Sequence, residues 1–257
     1  MGGAHGGVGA ALHRPADTPA HRLPAHVKLL ALLGFVAAVV STPREAFWAF
    51  GVHAAVVAVA CVVARVPAGW LARRMVVETP FLVFALVLPF VAGGPRVEVL
   101  GAAVSHAGLL AAWNVVAKGT LGVAACAVLA ATTSPRDLLL GLQRLRAPAL
   151  LVEIFAFMVR YADVVVDEMR RMRIAREARG FEGRHVGHVR VLARSAGALF
   201  IRSYERGERV HLAMLSRGYA GRLPVLDARP AGAPAWATAS VLPAAAVAVA
   251  LVAWVVR

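Results

Sequence analysis

Few residues in this 257-residue chain have types and spacings that do chemistry, and the most informative of them point to docking rather than catalysis. Ala178-Arg179-Gly180-Phe181-Glu182-Gly183-Arg184 matches Ser216-Arg217-Gly218-Tyr219-Ala220-Gly221-Arg222 at a spacing of 38 residues. Each copy follows a long helical pattern. Gly180 and Gly218 sit where a left-handed residue stops a helix, and the aromatic after each is placed to pack on the last turn. The result is an arginine at a blunt helix end, its rigid guanidinium fork projecting beyond the helix. One such end reads as an ordinary glycine-stopped helix with a cation near its negative dipole end. Two, with the same continuation, suggest recognition of a partner with two equivalent pockets, a dimer or pseudo-dimer.

The other candidates are weaker. His185-Val186-Gly187-His188 is the one tight histidine pair, but a closed metal site needs about four ligands, so this stretch reads as a solvated loop and no metal site is assigned. Lys118-Gly119-Thr120 has the ending of a phosphate-binding loop without its first glycine, and it lies in an apolar run. With no such loop of its own, the chain reads as non-catalytic, with no cofactor. Lys118 and Asn114, one turn apart, form a candidate intramembrane polar site; the simpler reading is a lysine that reaches an interface or pairs inside a bundle. His53 and His106 read as satisfied polar residues. Cys61 and Cys126 lie in apolar runs and read as free buried thiols.

The elements that position these residues follow from composition. Hydrophobic residues make up 60% and charged residues 16%, at a mean hydropathy of +0.69, against about a quarter charged in soluble domains. The apolar residues come in blocks, so lipid is the solvent. The expected fold is all-α, a polytopic membrane bundle with long amphipathic cytoplasmic helices. About five spans are expected: Leu29–Pro43 extended by Val27-Lys28; Ala46–Ala64; Thr79–Pro95, with Thr79 as N-cap before Pro80; His106 to about Thr132, capped by Ser105; and a last helix from about Trp236, with Pro243 as a kink point. Val97-Glu98-Val99-Leu100 reads as a short extended piece. The domains expected are 1–26, a disordered N-terminal segment without a signal peptide; 27–133, the transmembrane bundle; 134–229, a cytoplasmic helical region; and 230–257, the C-terminal transmembrane helix.

The net charge of +14 would suggest nucleic acid in a soluble chain; here it reads as flanking charge that sets orientation. With the N-terminus inside, the inner flanks receive Arg14, Arg22, Lys28, Arg65, Arg73, Arg74 and the whole of 136–229, and the outer flanks only Arg44, Arg96 and Arg257. Residues 136–222 hold 17 arginines against nine acidic residues. Ser134-Pro135-Arg136-Asp137 opens a helix there, and Pro148 breaks it. A second helix carries Leu151, Ile154, Phe155, Met158, Tyr161, Val165, Met169 and Met172 at helical steps. A third carries Val189, Leu192, Ala196, Leu199, Ser203, Gly207, Val210 and Met214. Interleaved acids such as Asp163, Asp167, Glu168 and Glu177 break any continuous basic stripe, so no nucleic acid is expected as a partner. The anticipated surroundings are the bilayer and other proteins.

Two long helices closing on Ala-Arg-Gly-like endings resemble the T component (EcfT) of energy-coupling-factor transporters, ABC-type importers of vitamins and transition metals. The resemblance runs from about Leu23 to Tyr219. Leu199-Phe200-Ile201-Arg202-Ser203-Tyr204-Glu205-Arg206, followed by Ala213 to Arg222, is most like the cobalt/nickel branch, the CbiQ-like proteins; Ser216 departs from the alanine of the pattern. The resemblance implies a multi-pass subunit of the plasma membrane. Ala178, Arg179, Gly180, Ser216, Arg217 and Gly218 would dock into two cytoplasmic ATPase subunits, two copies or a pseudo-dimer, and relay their closure to a substrate-binding membrane S component. Cobalt or nickel would be the cargo, recognised by that other subunit. A vitamin importer of the same type, or a stand-alone secondary transporter, are the alternatives; the latter predicts inverted repeats, whereas the repeat seen here runs parallel.

Overall fold

Pro24 and Thr42, both in extended conformation, bracket the first apolar block and leave helix between them. The computed structural model describes residues 13–99, 102–180, 189–221 and 232–256. Their order is α1 (Pro19–Arg22), α2 (Ala25–Ser41), α3 (Phe47–Val63), α4 (Ala68–Met75), a 3-10 turn (Val76–Glu78), α5 (Thr79–Val91), β1 (Arg96–Val99), β2 (Ala102–Ser105), α6 (His106–Thr132), α7 (Pro135–Arg144), α8 (Ala149–Glu177), α9 (Val189–Leu215) and α10 (Ala233–Val255). The chain is an all-α membrane protein with one small hairpin. Two compact units are present, one within residues 142–228, the other within 12–141 and 229–257.

In the second unit, three stretches are long and apolar enough to cross a bilayer: Ala68–Val91, α6 and α10. The apolar helices α2 and α3, 17 residues each, reach about 26 Å at 1.5 Å per residue, the short end of what spans a hydrocarbon core. Side chains such as Leu33, Val62, Leu86, Phe90 and Leu251 face outward, the reverse of a water-soluble surface and the arrangement lipid requires. The interior is built from small residues and a few rings: Phe35, Ala38, Val39, Phe50, Val57, Ala117, Leu121, Ala124, Ala246 and Ala250. Small residues let backbones approach where lipid tails are as apolar as leucine. At Gly108 a Cβ would stand 2.7 Å from the Leu88 carbonyl and 2.8 Å from Pro89 Cα; a Cβ at Gly34 would stand 3.2 Å from Pro243. Pro243 lies inside α10.

Several local expectations hold. Ser105 Oγ accepts from the Gly108 N–H at 3.3 Å and caps α6. Ser134 Oγ accepts from the Asp137 N–H at 3.2 Å, and the Asp137 carboxylate accepts from the Ser134 hydroxyl at 2.6 Å. Pro148 separates α7 from α8, with Arg146 just before it at φ 58°. His53, fully buried, hydrogen-bonds Thr42 Oγ1 through Nε2 at 3.1 Å, though its Nδ1 has no partner.

Two differ. Helix is continuous from Ala68 to Val91, so the candidate for the third span begins before Thr79 and ends before Pro95. Thr79 is the first residue of α5 rather than its N-cap, and its hydroxyl donates to the Val76 carbonyl at 2.7 Å. The helix continues through the 3-10 turn, and Arg74 lies over the Trp70 ring at 5.0 Å. The extended piece after it is half of a hairpin: Arg96 pairs Ser105 and Val99 pairs Ala102, antiparallel. Of the segment 1–26, the described part from residue 13 includes α1, and the Arg14 N–H donates to the Ala131 carbonyl at 3.0 Å.

Candidate functional site

In the unit within 142–228, α8 and α9 are long because neither is interrupted by proline and both place apolar residues at three- and four-residue steps. Two polar links fix their relation. Arg202 donates to Glu168 at 2.5 Å, and the Tyr219 hydroxyl donates to the Glu153 carboxylate. Moving from Glu168 back to Glu153 along α8 goes with moving from Arg202 forward to Tyr219 along α9, so the two helices are antiparallel. A groove of about 620 Å³ lies between them. Leu199, Ser203, Gly207, Val210 and Met214 line it from α9 as their spacing predicts. From α8, Ile154, Met158, Tyr161 and Val165 do so too, but Leu151, Phe155 and Met169 are about half exposed and outside it. Toward its C-terminal end the facing position of α8 belongs to Glu168, whose polar character no apolar periodicity selects.

Glu168 is the electrostatic knot of the pair. It also accepts from Arg171 at 2.8 Å, and its carboxyl is held below the usual glutamate range, first by the Arg171 hydrogen bond and then by that of Arg202. The bond to Glu153 raises the Tyr219 phenol above its usual value.

The two arginine-glycine ends are built alike. Gly218 has φ 83° and Gly180 φ 77°, the left-handed conformation that a glycine adopts without a Cβ clash. At the end of α9 the Tyr219 N–H donates to the Met214 carbonyl and the Gly218 N–H to the Leu215 carbonyl, both at 3.0 Å. That pair of bonds is a Schellman closure, and it makes Arg217 the C-cap. At the end of α8 the Gly180 N–H reaches the Glu177 carbonyl at 3.0 Å in the same relation, with Arg179 as the equivalent cap; Phe181 and the His185/His188 pair lie outside the described residues. Arg179 and Arg217 are exposed and engage no acidic side chain among the described residues. Ala178 and Ser216 are the exposed residues before them, and the Ser216 hydroxyl returns to the Ala213 carbonyl at 3.0 Å. Because the helices are antiparallel, the ends stand at opposite extremities of the pair. From Glu153, tied to Tyr219, to Arg179 is 26 residues of helix, about 39 Å at 1.5 Å per residue.

The intramembrane candidates are not brought together. Lys118 Nζ donates to the Val40 carbonyl at 2.7 Å, while the Asn114 side-chain oxygen is buried without a hydrogen bond. A third polar group, missed by sequence reading, lies in the same unit. Glu78, 2% exposed, accepts from the Thr120 hydroxyl, 2.9 and 3.0 Å from its two oxygens. It fits there because residue 119 is glycine, where a Cβ would come within 2.6 Å of Glu78 Oε1. No cluster of three or more metal-ligating side chains occurs among the described residues.

Comparison with known proteins sets this geometry in context. The family model described as cobalt transport protein, CbiQ, matches residues 16–226. The cobalt transport protein CbiQ of Rhodobacter capsulatus is 30% identical over 211 residues, 82% of this chain and 84% of the relative. The energy-coupling factor transporter transmembrane protein EcfT of Bacillus selenitireducens is 28% identical over 221 residues, 80% and 82% of the two chains. That of Heliobacterium modesticaldum is 27% identical over 220 residues, again 80% and 82%.

Proposed function

We propose, because this chain belongs to the cobalt transport protein CbiQ family of membrane transporter components, that it is the non-catalytic coupling subunit of an ABC-type importer. The observation that carries this reading is the placement of two alike arginine-tipped ends at the opposite extremities of an antiparallel helix pair. Such a pair has a local two-fold axis that exchanges α8 with α9 and Arg179 with Arg217. A cytoplasmic ATPase dimer has the same symmetry and offers one groove per subunit. Each guanidinium then enters one groove, and Ala178-Arg179-Gly180 and Ser216-Arg217-Gly218 are the contact segments. Closure of the dimer on ATP would draw the two ends together and pass the motion through α8 and α9 to a separate substrate-binding membrane subunit. The names of the relatives favour cobalt, with nickel as the chemical neighbour, as the cargo.

The arginine excess in 136–222 and the basic inner flanks support a cytoplasmic N-terminus and a cytoplasmic face for α8 and α9 in the plasma membrane. The test is double charge reversal, Arg179→Glu with Arg217→Glu, in the assembled transporter. A hydrogen bond to a charged group is worth about 2 kcal/mol, so losing two weakens docking by roughly a thousandfold. Co-purification of the ATPases and cobalt uptake should both be lost, while membrane insertion persists. Normal assembly and uptake in the double variant would overturn the proposal.

A further inference from the structure

A second cavity, about 440 Å³, lies wholly within the membrane unit, between α1, α2, α3, α6 and α10. Its walls are apolar, with Phe35, Val57, Ala60, Leu129 and Leu242 among them, and Lys28 lines its mouth. No carboxylate, histidine or cysteine lines it, which excludes a metal cargo. Along α2 it extends from Lys28 to Phe35, seven residues or about 10 Å, within the roughly 15 Å of hydrocarbon in one leaflet. The mouth is the end at which α2 and α10 begin and α3 and α6 finish, which on the orientation proposed above is the inner leaflet.

The mouth carries an uncompensated charge. Lys28 Nζ donates to the Thr132 carbonyl at 2.9 Å, Thr133 Oγ1 at 3.2 Å and, weakly, the His21 carbonyl at 3.4 Å. All three acceptors are neutral, and no carboxylate stands within ion-pair distance among the described residues. Asp137 is the acid whose field reaches it, but that carboxylate is bonded to Ser134. Arg22, the next cation, is already paired with Asp17 at 2.8 Å. A half-buried cation with only neutral partners is favourably met by an anion, and an apolar slot that lies within one leaflet suits a chain.

We propose that this slot holds one acyl chain of an anionic phospholipid, with the phosphate seated against Lys28 in place of the distant His21 carbonyl. One basic residue at a membrane surface contributes about 1 kcal/mol toward anionic lipid, about a fivefold preference. The full-length chain, purified from nanodiscs of equimolar phosphatidylglycerol and phosphatidylcholine, should retain phosphatidylglycerol about fivefold over phosphatidylcholine by native mass spectrometry. Lys28→Arg should keep that preference, Lys28→Gln should erase it, and Ala60→Phe, which fills the slot, should release both lipids. Phosphatidylglycerol with a photoreactive acyl chain should crosslink the wild-type chain at peptides containing Val57 or Leu129, a readout that no variant's folding can spoil. Equal retention of the two lipids by the wild type, an unchanged preference in Lys28→Gln, or crosslinks that avoid the slot would each overturn the assignment. None of these measurements depends on transport.

Discussion

Gly218 isolates backbone conformation from every other contribution to the proposed docking end of α9. Its φ is 83°, and a Cβ there would meet nothing within 4 Å. Replacing it by alanine therefore creates no steric clash with a neighbour; the whole effect is the cost of holding an L-residue left-handed, about 1–2 kcal/mol. The α9 closure depends on that conformation through two hydrogen bonds, Tyr219 N–H to Met214 and Gly218 N–H to Leu215. A penalty of 1–2 kcal/mol raises the population in which the closure is open by about 5- to 30-fold, taking RT near 0.59 kcal/mol. Asparagine tolerates the left-handed region better than alanine although it is larger. Valine tolerates it least. The expected order of opening is thus Gly218, then Gly218→Asn, Gly218→Ala and Gly218→Val, which is not the order of side-chain size. Amide hydrogen exchange of the peptide over 214–221 measures the opening directly, and capture of the ATPase subunits measures its consequence for Arg217. Exchange that tracks side-chain volume, with asparagine worse than alanine, would refute the conformational explanation. Unchanged exchange in the valine variant would refute the closure itself.

Two further expectations concern the polar links. Because Glu168 has its carboxyl depressed in the folded protein, first by Arg171 and then by Arg202, its contribution is present above the unfolded value of about 4.3 and is lost as pH falls through the folded value. Spin labels at Met169 and Ile201 should report a constant α8–α9 distance from pH 7 to 5 and a widening only below about pH 4, with Glu168→Gln wide throughout; a widening that begins near neutral pH would contradict this. In the membrane unit, Gly119→Ala sets a Cβ against Glu78 Oε1, 2.6 Å away, and should cost about 1–3 kcal/mol by displacing a buried hydrogen bond. The loss should nearly vanish when Glu78 is already alanine, and additive effects in thermal unfolding of the pair would deny the contact.

The membrane architecture was legible because lipid leaves a chain few choices: an apolar block must satisfy its own backbone, and helix is the local way to do so. Ser105, the Ser134–Asp137 box and Pro148 marked their boundaries through side chains that act on their own neighbours. The third span shows where such reading stops. Arg73, Arg74 and Glu78 look like the edge of a membrane segment, yet the helix runs through them. Arg74 rests on Trp70, and Glu78 is received by Thr120 across the notch at Gly119. The first compensation is one helical turn away, but the second lies 42 residues on in sequence and carries no periodic signal. The same holds for Asn114 and Lys118, one turn apart in sequence, where the lysine bonds instead to Val40 on α2.

The two arginine-glycine helix ends were legible for the opposite reason: a helix stop is local, and its glycine, its arginine and its aromatic are consecutive. What the sequence does not display is their relation. A repeat at 38 residues is a translation along the chain, and read alone it suggests two ends pointing the same way. The Glu168–Arg202 and Glu153–Tyr219 links show the carriers to be antiparallel, so the translation in sequence becomes a rotation in space. That change alters what the ends can bind. Two parallel tips would crowd one surface and suit a single broad site, whereas two tips about 39 Å apart by the helix rise, exchanged by a local two-fold axis, suit one groove on each half of a symmetric partner. Tyr219 then has two tasks: its N–H closes the α9 end, and its hydroxyl ties that end to the beginning of α8. Tyr219 thereby links the Arg217 end to the base of the helix that ends in Arg179.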